Sequence, residues 1–454
     1  MINQSNPFDQ LPNEISPAFQ ELGMLKHLRT AGFKKKFGFT CSYLFRLVFV
    51  LLFHRKNWFH LLGSDKGENF PGKDAVYRFL NHPGYAWRRF LLLLSVSVIL
   101  KFESLTSKDR ITAFIFDDSM YERNRSKKVE LLARFHDHAT GAFYKGFRML
   151  TMGWSDGHSF VPVDFSLLSS LKSGINGIME KIDKRTHGYQ RRKEALLPAP
   201  QVIAAMIDRA LKAGIFASYA LMDSWFTQPP LIQAIGHRGL QVIGMVKNDK
   251  KRYMVNGNRI DLKALYAAAP PIEGKNRHIL RCIRTRLVSV EPIPVQVVFV
   301  RHRSKKKEWL AILSTDLTLT PQEVINIYQM RWDIEVFFKC AKSLLCLQKE
   351  FQGRTYDLMV GHTTIVFSRY VLLAWQHRQS TDQRTLGGLF YHLCDEVSTL
   401  DWAVALQQLV ELICEVANKA GKKLAKLIQS QLQQWIAALP KYIKAYLPVL
   451  SCES

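Results

Sequence analysis

The sequence predicts an α/β protein whose mixed core is flanked by two helical regions, and three observations carry that reading. Residues 1–105 space Phe, Leu and Val at helical intervals and contain no long alternating run. Between 106 and 350, short β-branched and aromatic segments come first, and strand-helix-strand alternation follows. From 351 to 454 the pattern is helical again.

In the N-terminal region a polar turn at 67–72 leads into a short amphipathic helix at 73–80. Lys73 and Arg78 fall on its outer side, while Val76, Phe79 and Leu80 face inward. That pattern suits a DNA-end-binding region as well as an ordinary surface helix. The apolar runs at 47–53 and 90–100 are shorter than the roughly 20 residues that cross a bilayer, so both are expected as core helices.

The core opens with a strand at 111–116 that ends in Asp117-Asp118-Ser119, and further strands are expected at 147–154 and 160–167. Residues 172–193 read as a cationic loop holding Lys181, Lys184, Arg185, Arg191, Arg192 and Lys193. A helix at 200–212 then leads to a strand at 218–222 ending in Asp223, followed by a helix at 231–237 and a strand at 241–246. From about 250 to 316 the pattern is β-rich, with strands at 281–288, 295–301 and 309–314 divided by turns near Gly257 and Gly274, and it reads as an insertion. Pro321 opens one long helix to about Leu347, at a favoured first-turn position. A cationic segment at 419–426 lies in the helical C-terminal region.

Lys and Arg number 63 against 38 Asp and Glu, a formal charge of +25. An excess of this size favours a polyanionic partner, because each neutralised phosphate releases condensed counterions. The seven cysteines show no zinc-ligand spacing and suit buried thiols in a reducing cytoplasm; Cys340 and Cys346 are expected as packing residues. No signal-peptide pattern opens the chain, and no membrane association is expected.

The chemistry concentrates in Tyr328-x2-Arg331-x3-Glu335-x6-Lys342. At about 100° per residue these four side chains share an arc of about 60° on one helix. The plainer reading is a solvated face with an Arg331–Glu335 pair. Asp118 and Asp223 both sit at expected strand ends, where α/β sheets expose ligand-binding groups. Asp117 and Asp118 point to opposite faces of a strand, so only one of them easily joins a shared site. Two such acids and Glu335 form a hard-oxygen set suited to two Mg²⁺ or Mn²⁺ ions in phosphodiester chemistry.

These residues resemble the DDE transposases of bacterial insertion sequences, in the group with the Tyr-Arg-Glu-Lys signature (the insertion sequence four family). The resemblance runs from about Ile111 to Lys342. It implies a ribonuclease-H-like catalytic core over 106–350 with the β insertion between the second and third acids, and helical flanks at 1–105 and 351–454, the latter a candidate for homodimerisation. By resemblance Asp118, which directly precedes Ser119, is the first acid, Asp223 the second and Glu335 the third. Tyr328, Arg331 and Lys342 would hold phosphates near the transposon end. Trp309 either packs in the core or stacks on a flipped base, and Trp332 is expected to pack inward. The implied reaction is cleavage at the element's inverted repeats through a hairpin, then joining to target DNA. Trp225, two residues after Asp223, departs from the small residue common there. A nuclease without joining activity and an inactive DNA-binding descendant are the competing readings.

Overall fold

Ten residues of β-compatible sequence, Ala113–Glu122, form β1, an interior strand of an eleven-stranded sheet. The computed structural model describes residues 15–53, 58, 62, 71–107, 109–137, 141–179, 182–272, 278–302, 308–379, 385–395, 409–410, 412–414, 419 and 422–438. On one side β1 pairs antiparallel with β3 (Phe143–Ser155), which carries β2 (Ala133–His136) and β4 (Phe160–Leu168) on its other edge. On its other side β1 pairs parallel with β5 (Tyr219–Met222), and β5 with β6 (Gln241–Val246). β4 is buried along its whole length, as befits a strand covered on both faces.

The sheet continues without a break through the β-rich segment. β11 (Trp309–Ser314) pairs with β6, then β10 (Ile293–Arg301), β9 (Ile279–Leu287), and the short β7 (Tyr253–Val255) and β8 (Asn258–Ile260). The expected insertion is therefore an extension of the core sheet. The turn expected near Gly274 lies outside the described residues, as do 67–70 of the polar turn, Lys181 and Cys452.

Among the described residues the helices, in chain order, are α1 (Ile15–Glu21), α2 (Met24–Thr30), α3 (Cys41–Leu51), α4 (Lys73–Leu80), α5 (Trp87–Ser104), α6 (His187–Ala195), α7 (Ala199–Lys212), α8 (Pro229–Gly236), α9 (Leu262–Ala268), α10 (Pro321–Gln329), α11 (Trp332–Ser343), α12 (Tyr356–Gln379) and α13 (Lys422–Ala438). Helix α4 has the expected bounds and buries Val76, Phe79 and Leu80. The runs at 47–53 and 90–100 lie in or beside α3 and α5 and are largely buried.

Four expectations need correcting. The strand begun at 111–116 continues to Glu122, so Asp117 and Asp118 lie within β1, although parallel pairing to β5 stops at Phe116 and Met222. The single helix from Pro321 is two, because Met330 and Arg331 bond to Ile327 and Tyr328 three residues back at 3.1 and 3.0 Å. That tighter turn interrupts the α-helical spacing without Gly or Pro to signal it. The cationic stretch at 172–193 ends in helix α6, where Arg191 and Arg192 are buried. Arg192 bonds Glu130 at 2.6 Å and Asp357 at 2.7 Å, so these charges bind the core together instead of facing solvent. Finally, Trp332 is 63 % exposed.

Helix α12 is long and apolar enough to cross a membrane, yet its apolar window is wholly buried within the protein. Its polar groups find partners inside: Arg369 bonds Glu350 at 2.7 Å and the carbonyl of Phe49 at 2.9 Å, and His362 bonds Glu350 at 2.9 Å. Those bonds tie α12 to the C-terminal turn of α3.

Candidate active site

The last parallel pair of β1 and β5 is Phe116 with Met222, so Asp117 and Asp223 are the next residue on each strand. Parallel neighbours point to the same face, which brings these two acids together beyond the paired ends. Asp223 is held by the turn it opens. Its Oδ1 accepts the N–H groups of Trp225 and Phe226 at 3.0 and 3.1 Å, and its carbonyl accepts the Thr227 hydroxyl at 2.6 Å. Gly244 on β6 makes room for this: a Cβ there would lie 2.2 Å from Thr227 Oγ1.

Arg331, in the turn between α10 and α11, joins the acids across the chain. One Nη donates to Asp117 Oδ2 at 3.0 Å and the other pairs with Glu335 one helical turn on. The geometry thus assembles Asp117, Glu335 and Arg331, with Asp223 close enough to act electrostatically on Asp117. Burial pushes the Asp117 carboxyl up to about 7, with Arg331 opposing and the Asp223 charge adding to the rise.

Asp118 turns the other way. Its carboxylate pairs with Arg148 of β3, whose guanidinium lies 5.4 Å from the centroid of the Trp225 ring. Burial raises its pKa, Arg148 opposes the rise, and the Asp223 charge adds to it here as it does at Asp117. Arg148 sits opposite Met120 in the β1–β3 ladder, on the face that Asp118 shares. Sequence alternation separates Asp117 from Asp118, and in the structure it is Asp117 that the Arg331 guanidinium links to Glu335.

The remaining signature residues divide. Tyr328 is half-buried, and its ring lies 5.9 Å from the Arg331 guanidinium. Burial pushes this phenol up to about 12. Lys342 is seven residues past Glu335, about 10 Å along the helix. Burial lowers its pKa, and Glu122 at the end of β1 counters this. Trp309 is half-buried, stacks on Tyr266 at 4.8 Å and 10°, and meets Phe299 edge-on at 5.1 Å. Sequence reasoning missed Arg148 and the exposure of Trp225 and Trp332, 54 % and 63 %. Only the adjacency of those tryptophans to Asp223 and Arg331 hinted at a surface role.

Among the described residues no three His, Cys, Asp or Glu groups stand close enough to form a ready-made metal centre; Arg331 lies between two of the acids. In kind, the carboxylate oxygens of Asp117, Asp223 and Glu335 are hard donors that suit a hard divalent cation.

No curated protein matches the chain. The family model described as DDE superfamily endonuclease matches residues 64–289, a span holding Asp117, Asp118 and Asp223. The model of the archaeal ISC1217 transposase family matches residues 285–374, a span holding Tyr328, Arg331, Glu335 and Lys342. The two matches overlap at 285–289, between Asp223 and Glu335, and together they support a DDE transposase.

Proposed function

We propose that this chain is a DNA transposase that cuts at the ends of an insertion sequence and joins the freed 3′ ends to target DNA. The observation that carries the reading is Arg331 spanning Asp117 and Glu335 beside the in-register Asp223. The strand order β4-β3-β1-β5-β6, antiparallel on one side of β1 and parallel on the other, supports a ribonuclease-H-like core. The Tyr-Arg-Glu-Lys spacing supports the insertion sequence four family within the DDE transposases.

In this reading Asp117, Asp223 and Glu335 would hold two Mg²⁺ or Mn²⁺ ions. Asp117 takes the first-acid place that the resemblance gives to Asp118, because Arg148 engages Asp118. The ions, when bound, stabilise the attacking and leaving oxygens of the displacement. Arg331 then turns its fork of donors to the non-bridging oxygens of the scissile phosphate. The buried Tyr328 hydroxyl donates to the same phosphate, and Lys342 holds a neighbouring one. Cleavage forms a bond from water oxygen to phosphorus and breaks the P–O3′ bond. The 3′ hydroxyl so released attacks the opposite strand to close a hairpin, which water reopens before joining. The exposed indoles of Trp225 and Trp332 offer faces for unpaired bases.

DNA is the partner, gripped by the N-terminal helical region as well as the core. Two ends must be cut together, and exposed Leu424, Leu427 and Trp435 on α13 support a homodimer through the C-terminal region. The test is cleavage of DNA carrying the element's terminal repeats with purified protein and Mg²⁺. Hairpin-ended fragments from the parent, absent with Asp223→Ala and Glu335→Ala, are the expected result. Cleavage that survives either change would sink the assignment.

A further inference from the structure

A groove of about 970 Å³ opens between the 34–39 loop, which joins α2 to α3, and the outer side of α4. Lys34, Lys35 and Lys36 form one rim, and Lys73 and Arg78 the other. Asp74 is the single carboxylate among the lining residues. Between the rims stands Phe37, 85 % exposed, at a turn completed by Gly38, whose φ of +73° suits glycine.

The base of this loop is fixed. Phe33 is buried and stacks on Tyr85 at 4.6 Å, Tyr85 stacks on His82 at 4.1 Å, and Cys41 Sγ lies 3.1 Å from the Tyr85 hydroxyl. On the far side Thr40 caps α3, and Phe39 stacks on Tyr43 at 5.4 Å. Phe37 is thus an apolar ring held out in water on a rigid support, inside a cationic cleft. Apolar side chains so placed can enter between stacked bases, at an unstacking cost of a few kcal/mol per step, while flanking cations hold the backbone.

The geometry points to a duplex-DNA site in which the two rims grip the phosphate backbones and Phe37 wedges between adjacent base pairs. This inference rests on the reading of the chain as a DNA-acting protein and adds a distortion site away from the acids. A wedge gains most where unstacking has already occurred, so affinity for a mismatched duplex should exceed that for a perfect one.

The experiment measures binding of the full chain in EDTA, where cleavage plays no part. The probes are a 30-base-pair duplex, the same duplex with two central mismatches, and its single strand. The parent should bind the mismatched duplex about tenfold more tightly than the perfect one. Phe37→Ala should erase that preference, and Phe37→Trp should restore it. Lys35→Glu and Arg78→Glu should weaken binding to both duplexes and shallow the salt dependence. A mismatch preference unchanged in Phe37→Ala would overturn the wedge, and tighter binding of the single strand would overturn the duplex assignment. Duplex binding indifferent to both charge reversals would remove the groove from the DNA path. Failure of the nuclease reading would show separately, as binding in EDTA with no cleavage in Mg²⁺.

Discussion

Asp117 and Asp223 each stand one residue beyond the last parallel pair of β1 and β5, so a single register brings two acids to one place. The adjacent Asp118 shares the strand but meets Arg148. Asp117→Asn should therefore lower DNA cleavage by at least about 10³-fold, whereas Asp118→Asn should cost about tenfold or less. Gel assays of end cleavage at saturating Mg²⁺ decide this, and the reverse ranking would restore Asp118 as the first acid.

Lys342→Glu places a carboxylate near Glu122 and removes a cation about 10 Å along the helix from Glu335. Binding to cleaved element ends should fall about tenfold or more, with random duplex affected far less. Equal losses in titrations of both DNAs would reduce Lys342 to a general surface cation.

Trp309 packs on Tyr266 and Phe299, so Trp309→Ala should act mainly on stability. A loss of about 2–4 kcal/mol is expected, by analogy with buried aromatic truncations. Trp309→Phe should recover most of it. Denaturant melts read the effect, and normal stability with impaired end binding would favour base stacking instead.

Glu350 and His362 give the fold an acid-sensitive joint. Burial would push Glu350 up, but Arg369 and His362 hold it down at about 2. Its contribution, about 3 kcal/mol, is present above the unfolded value near 4.5 and is lost as pH falls toward 2. Burial also lowers the His362 pKa despite Glu350. Below about pH 6.5 the unfolded chain takes up a proton there that the folded chain refuses, so stability falls in that window too. Melting temperature should drop between pH 7 and 5, and His362→Gln should flatten that drop. An unchanged slope in His362→Gln would remove this residue from the account.

The exposed leucines of α13 make the proposed homodimer testable. Leu427→Asp should shift light-scattering mass from two chains to one while leaving the far-ultraviolet spectrum intact. An unchanged dimer would move the interface elsewhere.

Elements from 199 to 246 and the strands near 281–314 were legible because hydrophobic periodicity there is local: the strand at 241–246 and the start of β11 fall where the pattern puts them, whereas helix α9 and the short β7 and β8 were not foreseen. Long-range relations were not. The alternation of Asp117 and Asp118 is visible in the sequence, but their pairing with Asp223 and Arg331 depends on register. Arg191 and Arg192 read as part of a cationic loop because their partners, Glu130 and Asp357 for Arg192, are distant in the chain. The same holds for α12, whose Asp357, His362 and Arg369 interrupt its apolar pattern and are satisfied only in the folded interior. Trp332 misled for the opposite reason: an aromatic residue on a helix is usually packed, and this one is not.

The hydrogen bonds between β6 and β11 have a mechanical consequence. Because β7 to β11 continue the sheet that carries Asp117 and Asp223, this segment cannot swing on a hinge as a flap would. Moving it means shearing a ladder of backbone bonds, so its edge acts as a fixed gauge for any helix laid against the acids. Adjustment on docking would then fall to the softer body, and it is the DNA that would bend.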